Sequence, residues 1–440
     1  MEPFFNGMKL NDPKIINGWC MYDWANSVYS LVITSAIFPV YYQEVTASEF
    51  SDTVQFFGFG ISNTVLYSYA LSASFLITAI ILPLLSGMAD YSGRKKNFMK
   101  GFVLVGGLAC MGLYFFRGDN IELGILLSML ASIGYSGSLV FYDAFLPEIA
   151  TPDRFDKISA RGYAFGYVGS VILLLFNIFM LMKPDLFGIP EEQGDLAARI
   201  SFLMVGLWWI GFSIITFIRL PNNPYNRKAE GNILTEGYLE IQRVYNSLSD
   251  LPNLKKFLFS FFFYNMGVQT VMYLAASFGS KELKMASESL ILIVLIIQLV
   301  AIAGAYFFAH LSQRKGNRYS LIIMINIWIL ICLAAYFVYT TPQFFALAFA
   351  VGLVMGGIQS LSRATYAKLI PESSIDHASY FSFYDVTYYI STVVGTFVYG
   401  LIEQLTGSMR SSTLALMIFF VIGLLLMLAV RIPHSRKSVL

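Results

Sequence analysis

Asp23, Asp143 and Arg363 are ionisable residues that stand inside apolar stretches of bilayer length. A charge at the centre of a bilayer-spanning helix costs about 2.5–3.5 kcal/mol, so each is a candidate for binding a solute, carrying a proton or pairing with another charge. Arginine can fork onto a carboxylate or phosphate, and a carboxylate can take up a proton or hold an amine. Asp23 is followed by Ser27, Ser30 and Thr34 at spacings of four, three and four residues, which sets one polar stripe on one helix face. A helix lining a water-filled cavity needs such a stripe. Counting about 1.5 Å of rise per residue, Asp23 lies about 10 Å, Asp143 about 6 Å and Arg363 about 8 Å from the nearer end of its helix. At that depth two roles stay open. Asp143 and Arg363 can form a gate that pairs when one side is shut, or Arg363 can grip an anionic group of a substrate.

A second constellation is Gly87-Met-Ala-Asp90-Tyr-Ser-Gly93-Arg94-Lys95-Lys96, between two apolar runs. Its glycines permit a tight turn and its cations stay in water. Its single carboxylate can bond a neighbouring helix in one conformation and release it in another. Gly87, Asp90, Gly93 and Arg94 are therefore expected to act as a conformational latch.

The elements that carry these residues follow from composition. Of 440 residues, 57% are hydrophobic and only 13% charged, against about 25% charged in soluble domains. Twelve apolar stretches between residues 16 and 431 are each long enough to span a bilayer, which takes about 20 residues. The expected fold is an all-α polytopic membrane protein. Most of the 29 Lys and Arg residues fall in loops on one side; Arg117, Lys183, Arg199, Lys281, Lys284 and Arg410 fall on the other. The positive-inside rule then puts both termini in the cytoplasm, and a bacterial inner (plasma) membrane is expected. No signal peptide is expected, because Met1 to Lys14 contains no apolar core.

The chain divides into a six-helix unit at 1–219, a polar linker at 220–256 and a second six-helix unit at 257–440. In the linker, Leu234, Tyr238, Ile241, Tyr245 and Leu248 recur at helical spacing, with Thr235 as the expected N-cap and Glu236 in the first turn. That amphipathic helix should lie on the membrane surface or against the helix ends. Internal repetition supports the division. Leu146-Pro147-Glu148 returns as Ile370-Pro371-Glu372, Tyr22-Asp23 as Tyr264-Asn265, and the turn at Gly93 as a degraded copy ending in Gly316. Asn265 and Gln269 mirror Asp23 and Ser27, which makes them substrate or proton candidates too. Arg161 and Asp385 fall at equivalent places with opposite charge.

The G-x-x-x-D-x-x-G-R-K turn resembles that between the second and third helices of major facilitator superfamily transporters. Tyr22-Asp-Trp-Ala-Asn-Ser27, Phe141-Tyr-Asp-Ala-Phe-Leu-Pro-Glu148, Ser159-Ala-Arg-Gly-Tyr163, Gln359-Ser-Leu-Ser-Arg363 and Phe383-Tyr-Asp385 together resemble its vacuole-effluxer-like branch. The resemblance implies two pseudo-symmetric six-helix bundles, with spans one, four, seven and ten around a central cavity, so that Asp23, Asp143 and Arg363 share one space. It also implies that Asp90 faces the eleventh span, and that Arg161 and Asp385 act as latch residues. Eukaryotic relatives are associated with amino-acid export from vacuoles, while bacterial members mostly lack an assigned substrate. One departure is Met266, where an Asp is expected in relatives; Met266 can carry no proton.

Other chemistries lack their residues. Cys20, Cys110 and Cys332 all fall within spans, and His310, His377 and His434 form no metal cluster. No phosphate loop, cofactor motif or nucleophile–base set is present, and no nucleic-acid partner is expected. The expectation is a monomeric secondary active transporter, not an enzyme, coupled to protons and carrying an amino acid or short peptide. Cell-wall fragments or lipid-like cargo form the alternative, and a non-transporting receptor on the same scaffold the rival class.

Overall fold

A computed structural model describes residues 9–47, 52–190 and 194–432. Residues 1–8 and His434, which entered the expectations above, lie outside the described residues. The chain opens with α1 (Pro13–Val28), whose N-cap Asp12 accepts from the Lys14 N–H at 2.7 Å and whose first position is Pro13. A π-helical stretch, Tyr29–Ala36, then runs into α2 (Ile37–Thr46). Pro39 has no N–H for the carbonyl four residues back, and the Ser30 and Ser35 hydroxyls bond main-chain carbonyls within the same stretch. The polar stripe of the first span therefore sits on an irregular helix.

A hairpin, β1 (Thr53–Phe56) and β2 (Phe59–Ser62), follows on the side away from the linker. It leads into α3 (Asn63–Ser92), which Gly93 ends in the left-handed conformation at φ 65°. The Arg94 N–H returns to the Ala89 carbonyl and the Gly93 N–H to that of Asp90, both at 3.2 Å, closing the helix end. Next come α4 (Lys95–Gly112), α5 (Ile121–Asp143), the single turn α6 (Leu146–Ile149), α7 (Phe155–Met182) and α8 (Leu196–Arg219).

The linker helix is α9 (Ile233–Ser247), and its cap is Asn232, not Thr235; the Asn232 carboxamide accepts from the Leu234 N–H at 2.9 Å. Its expected apolar face is not the packed one. Gly237, Glu240 and Val244 are buried, whereas Leu234, Tyr238 and Tyr245 are exposed. The second half then comprises α10 (Pro252–Leu283), α11 (Ser287–Lys315), α12 (Asn317–Tyr336), α13 (Thr341–Leu369), α14 (His377–Thr406) and α15 (Met409–Leu428). The seventh span thus begins at Pro252, ahead of the expected 257.

Ten of the described helices are long and apolar enough to cross a bilayer. The other two expected spans are helices of different character. The first is broken by the π stretch, and α14 carries many hydroxyl-bearing residues besides Asp385. Within the first half α1 packs on α7 and α8, and α4 on α5 and α8. In the second, α11 packs on α13, and α15 on α10 and α12. The halves meet along α3–α14, α7–α11 and α7–α13. Among the described residues the fold is helical throughout apart from the β1–β2 hairpin.

Candidate functional site

Arg363 of α13 is the centre of the site, buried at 2% exposure between the two halves. Its Nη1 donates to Asp143 at 3.0 Å, its Nη2 to Asp23 at 3.2 Å, and its Nε to the Ser159 hydroxyl at 2.9 Å. Nη2 also donates to the Ser159 carbonyl at 3.1 Å. Trp19, Tyr142 and Tyr163 present ring centroids 4.7, 5.4 and 4.4 Å from the guanidinium carbon. The Tyr142 hydroxyl donates to Asp23 at 2.8 Å. All these partners belong to the first half, while Arg363 belongs to the second. A guanidinium taken out of water needs its charge and its N–H groups answered together, and here both are.

The cluster depends on a missing side chain. A Cβ on Gly162 would lie 2.4 Å from the Asp23 carboxylate and 3.1 Å from Arg363 Nη2. One turn further on, a Cβ on Gly166 would meet the Ser27 hydroxyl at 2.3 Å. These glycines let α7 lie against α1 closely enough for Asp23 to reach across.

Asp90 closes the next contact towards the linker side. It accepts from the Ser379 N–H at 2.7 Å and the Ala378 N–H at 3.3 Å, at the start of α14. The cap residue of α14, Asp376, makes no side-chain cap bond, so Asp90 caps that helix from the opposite half. Arg94 takes no part: it is exposed, and the cation beside Asp90 is buried Lys95, at 3.7 Å and also paired with Glu148. His377 adds a ring-nitrogen contact to Glu148 at 3.3 Å. Gly87 serves a different contact than expected, since a Cβ there would strike the Gly237 carbonyl oxygen of α9 at 2.2 Å.

The pseudo-symmetric contact lies between α7 and the Gly316 turn. Asp156, in the first turn of α7, accepts from Ser312 at 2.9 Å, Asn317 at 2.7 Å and Lys368 at 2.7 Å, all from the second half. Outside the spans, Arg227 of the linker bonds Asp376 and lies 3.7 Å from Glu240, which Arg243 also holds at 2.8 Å. Burial, followed by the neighbouring Asp376, pushes the Glu240 carboxyl up to about 8. Burial alone would raise Asp376 too, but the bond from Glu240 and the Arg227 guanidinium hold it below its ordinary range.

Asn265 and Gln269 do not join Arg363. The Asn265 amide donates to the Ser391 hydroxyl at 2.7 Å and accepts from Gln269 at 3.2 Å, so the pair fastens α10 to α14. Arg161 lies against the Phe165 ring and forms no ion pair among the described residues. Asp385 is buried at 4% exposure with its Oδ2 lacking a hydrogen-bond partner, and Asp143 and Arg363 are its electrostatic neighbours. Lys95, Glu148 and Asp156 were not anticipated. The repeat at Leu146-Pro147-Glu148 and the family-like stretch ending in Glu148 were the signals that marked it.

Away from the linker the halves part. Ser27, Ser30 and Thr34 are partly exposed and Ser35 fully so, so the stripe on the first span becomes wetter with distance from Arg363. A cleft of about 600 Å³ opens between α2, α7 and α8 of the first half and α11 of the second. Its walls include Leu174, Ile178, Leu290 and Val294, with Glu44 and Asp195 as its acidic groups. The halves are bonded to each other on the linker side, and this cleft lies at the other end.

Over residues 11–439 the sequence matches the family described as vacuole effluxer Atg22 like. It is 33% identical over 412 residues to the uncharacterized MFS-type transporter YxiO of Bacillus subtilis, covering 93% of each chain. It is 23% identical over 476 residues to autophagy-related protein 22 of Eremothecium gossypii, covering 95% of this chain and 91% of that one. Among solved structures, FucP in the outward conformation superposes with a TM-score of 0.70 at 13% identity, covering 96% of this chain and 99% of that one. A bacterial homologue of the iron transporter ferroportin superposes at 0.68 with 12% identity, covering 94% and 98%. At such identities the likeness establishes the fold.

Proposed function

Since the chain belongs to the vacuole effluxer Atg22-like family, within the major facilitator transporters, we propose that it moves a small solute by alternating access, with the Arg363 cluster as its linker-side gate. It is an integral membrane transporter; its relatives and fold neighbours are transporters rather than enzymes. The observation that carries the gate reading is that Arg363 spends its donors on Asp23, Asp143 and Ser159 of the opposite half, while a cleft opens at the other end. Closing the outer cleft rocks the halves, parts Arg363 from its carboxylates and frees Asp90 from α14. The bundle limits are proposed at 1–219 and 257–440, and the linker side is assigned to the cytoplasm from its Lys and Arg content.

The cargo we favour is an amino acid or short peptide. Support comes from the autophagy-related relatives and from a site holding two carboxylates beside one guanidinium. Once Arg363 withdraws, Asp23 and Asp143 are left to an amine or to protons, which links solute movement to proton movement. Asp385, in the same half as Arg363, then becomes its replacement partner. The apolar cleft walls favour a second reading, a cargo with a large apolar or lipid-like part.

The test is thermal unfolding of purified protein across a panel of amino acids, short peptides, cell-wall fragments and lipids, on wild type and Arg363→Ala. Active members are then followed in proteoliposomes with and without a pH gradient. Flux driven by the cargo gradient alone, unchanged by pH or protonophore, removes the coupling claim. A panel without any responding solute removes the cargo claim.

A further inference from the structure

The linker-side surface holds a second cavity, of about 430 Å³, between the α3–α4 turn and the loop that follows α8. Arg94 and Asn97 wall it from the turn, and Asn223, Arg227 and Lys228 from the loop. Three cations line it and no carboxylate does. This space is separate from the Arg363 cluster and from the outer cleft, and nothing in the transport cycle described above uses it.

The cavity is built rather than incidental. The Asn223 amide donates to the Arg227 carbonyl at 2.8 Å and accepts from the Arg227 N–H at 3.0 Å, so one side chain folds the loop on itself. Gly93 backs onto that amide: a Cβ there would lie 2.6 Å from Asn223 Oδ1. Arg227 is held from behind by Asp376 and Glu240. Arg94 and Lys228 are exposed and form no ion pair among the described residues. Helix α4 begins at the same wall without a side-chain cap and without an acidic residue in its first turn. The positive end of that helix adds to the field of the cations there.

We propose that this cavity binds a phosphate group, and that the bound group holds the linker loop against the α3–α4 turn in the conformation closed on the linker side. The chemistry is selective in kind. Guanidinium forks and an ammonium are all donors, so the ligand must be rich in acceptor oxygens and negatively charged. Because Arg227 joins the loop to Asp376 at the head of α14, a phosphate on Arg94, Lys228 and Arg227 ties the first half to the second. It thereby adds to the work done by Asp90. The phosphate can belong to a phospholipid headgroup or to a free anion.

The experiment uses the full chain in a neutral detergent at constant ionic strength. Thermal unfolding is followed during titration with sodium phosphate, with short-chain phosphatidylglycerol and with short-chain phosphatidylcholine. A saturable rise in Tm with phosphatidylglycerol alone identifies a lipid headgroup; one with phosphate identifies a free anion. Either supports the proposal, provided that Arg94→Ala with Lys228→Ala weakens half-saturation by about tenfold for each lost cation. Arg94→Lys with Lys228→Arg should retain most of the response, which guards against an alanine variant that fails to fold. Absence of a shift with both phosphate and phosphatidylglycerol overturns the site. So does an equal shift with phosphatidylcholine, or in the alanine variant.

Discussion

Arg363 and Asp143 lie 220 positions apart in sequence and 3.0 Å apart in space, one in each half of the molecule. Removing one member of a buried ion pair leaves an uncompensated charge, at a cost of about 3–5 kcal/mol. Arg363→Asp or Asp143→Arg alone should therefore abolish transport and open the linker side. The double exchange restores the attraction, and transport should partly recover in proteoliposomes. If the double exchange stays as inactive as the singles, the direct grip of Arg363 on substrate becomes the better account.

Gly162→Ala tests the same cluster by volume instead of charge. Its Cβ would stand 2.4 Å from the Asp23 carboxylate, a distance real contacts do not reach. Overpacking of this kind costs about 1–3 kcal/mol. Tm should fall, and a cysteine placed on the linker side of α13 should become easier to label. An unchanged Tm together with unchanged labelling would falsify the close approach of α7 to α1.

Asp90→Ala removes the cap that α14 receives from α3. A lost cap is worth about 0.5–2 kcal/mol, so the closed form should lose about tenfold in population relative to the open one. Spin labels on the linker-side ends of α3 and α14 would report this as a longer mean distance. In detergent free of phosphate and anionic lipid, Arg94→Ala should leave the distance alone, because Lys95 holds the charge beside Asp90.

The linker should respond to pH through Glu240. Its carboxyl, buried beside Asp376, is raised from its ordinary 4.5 to about 8. The docked form then binds more protons than the undocked form between those values, so docking weakens as pH rises through that window and levels off above about 8. Asp376, held below its ordinary 3.8, works the other way, and its contribution is lost only as pH falls through its lowered value. Corrected for the intrinsic pH dependence of amide exchange, hydrogen exchange of α9 should accelerate between pH 4.5 and about 8. Glu240→Gln should flatten that response, and a wild-type profile equally flat would count against the buried pair.

Asp385→Asn keeps the shape of the side chain and removes its ability to exchange a proton. If Asp385 receives Arg363 in the opposite conformation, accumulation driven by a pH gradient should disappear while solute counterflow persists. Retention of gradient-driven uptake would leave the proton to Asp23 and Asp143 alone.

The sequence by itself determined that this is a helical membrane protein, because burying apolar stretches of bilayer length leaves few alternatives. It also singled out Asp23, Asp143 and Arg363, since a charge within a span is too costly to be idle. The turn at Gly93 was equally legible, as its left-handed backbone suits glycine. What the tertiary structure decided is which charge meets which partner. Lys95, not its exposed neighbour Arg94, enters the interface, and Asp156 faces three donors from helices far along the chain. Asn265 and Gln269 mirror the first span in type yet are consumed in holding α10 to α14. Spacing along one helix tells which residues share a face. It does not tell which other helix that face will meet, and in a molecule of two halves it is the partner across the gap that answers a buried charge.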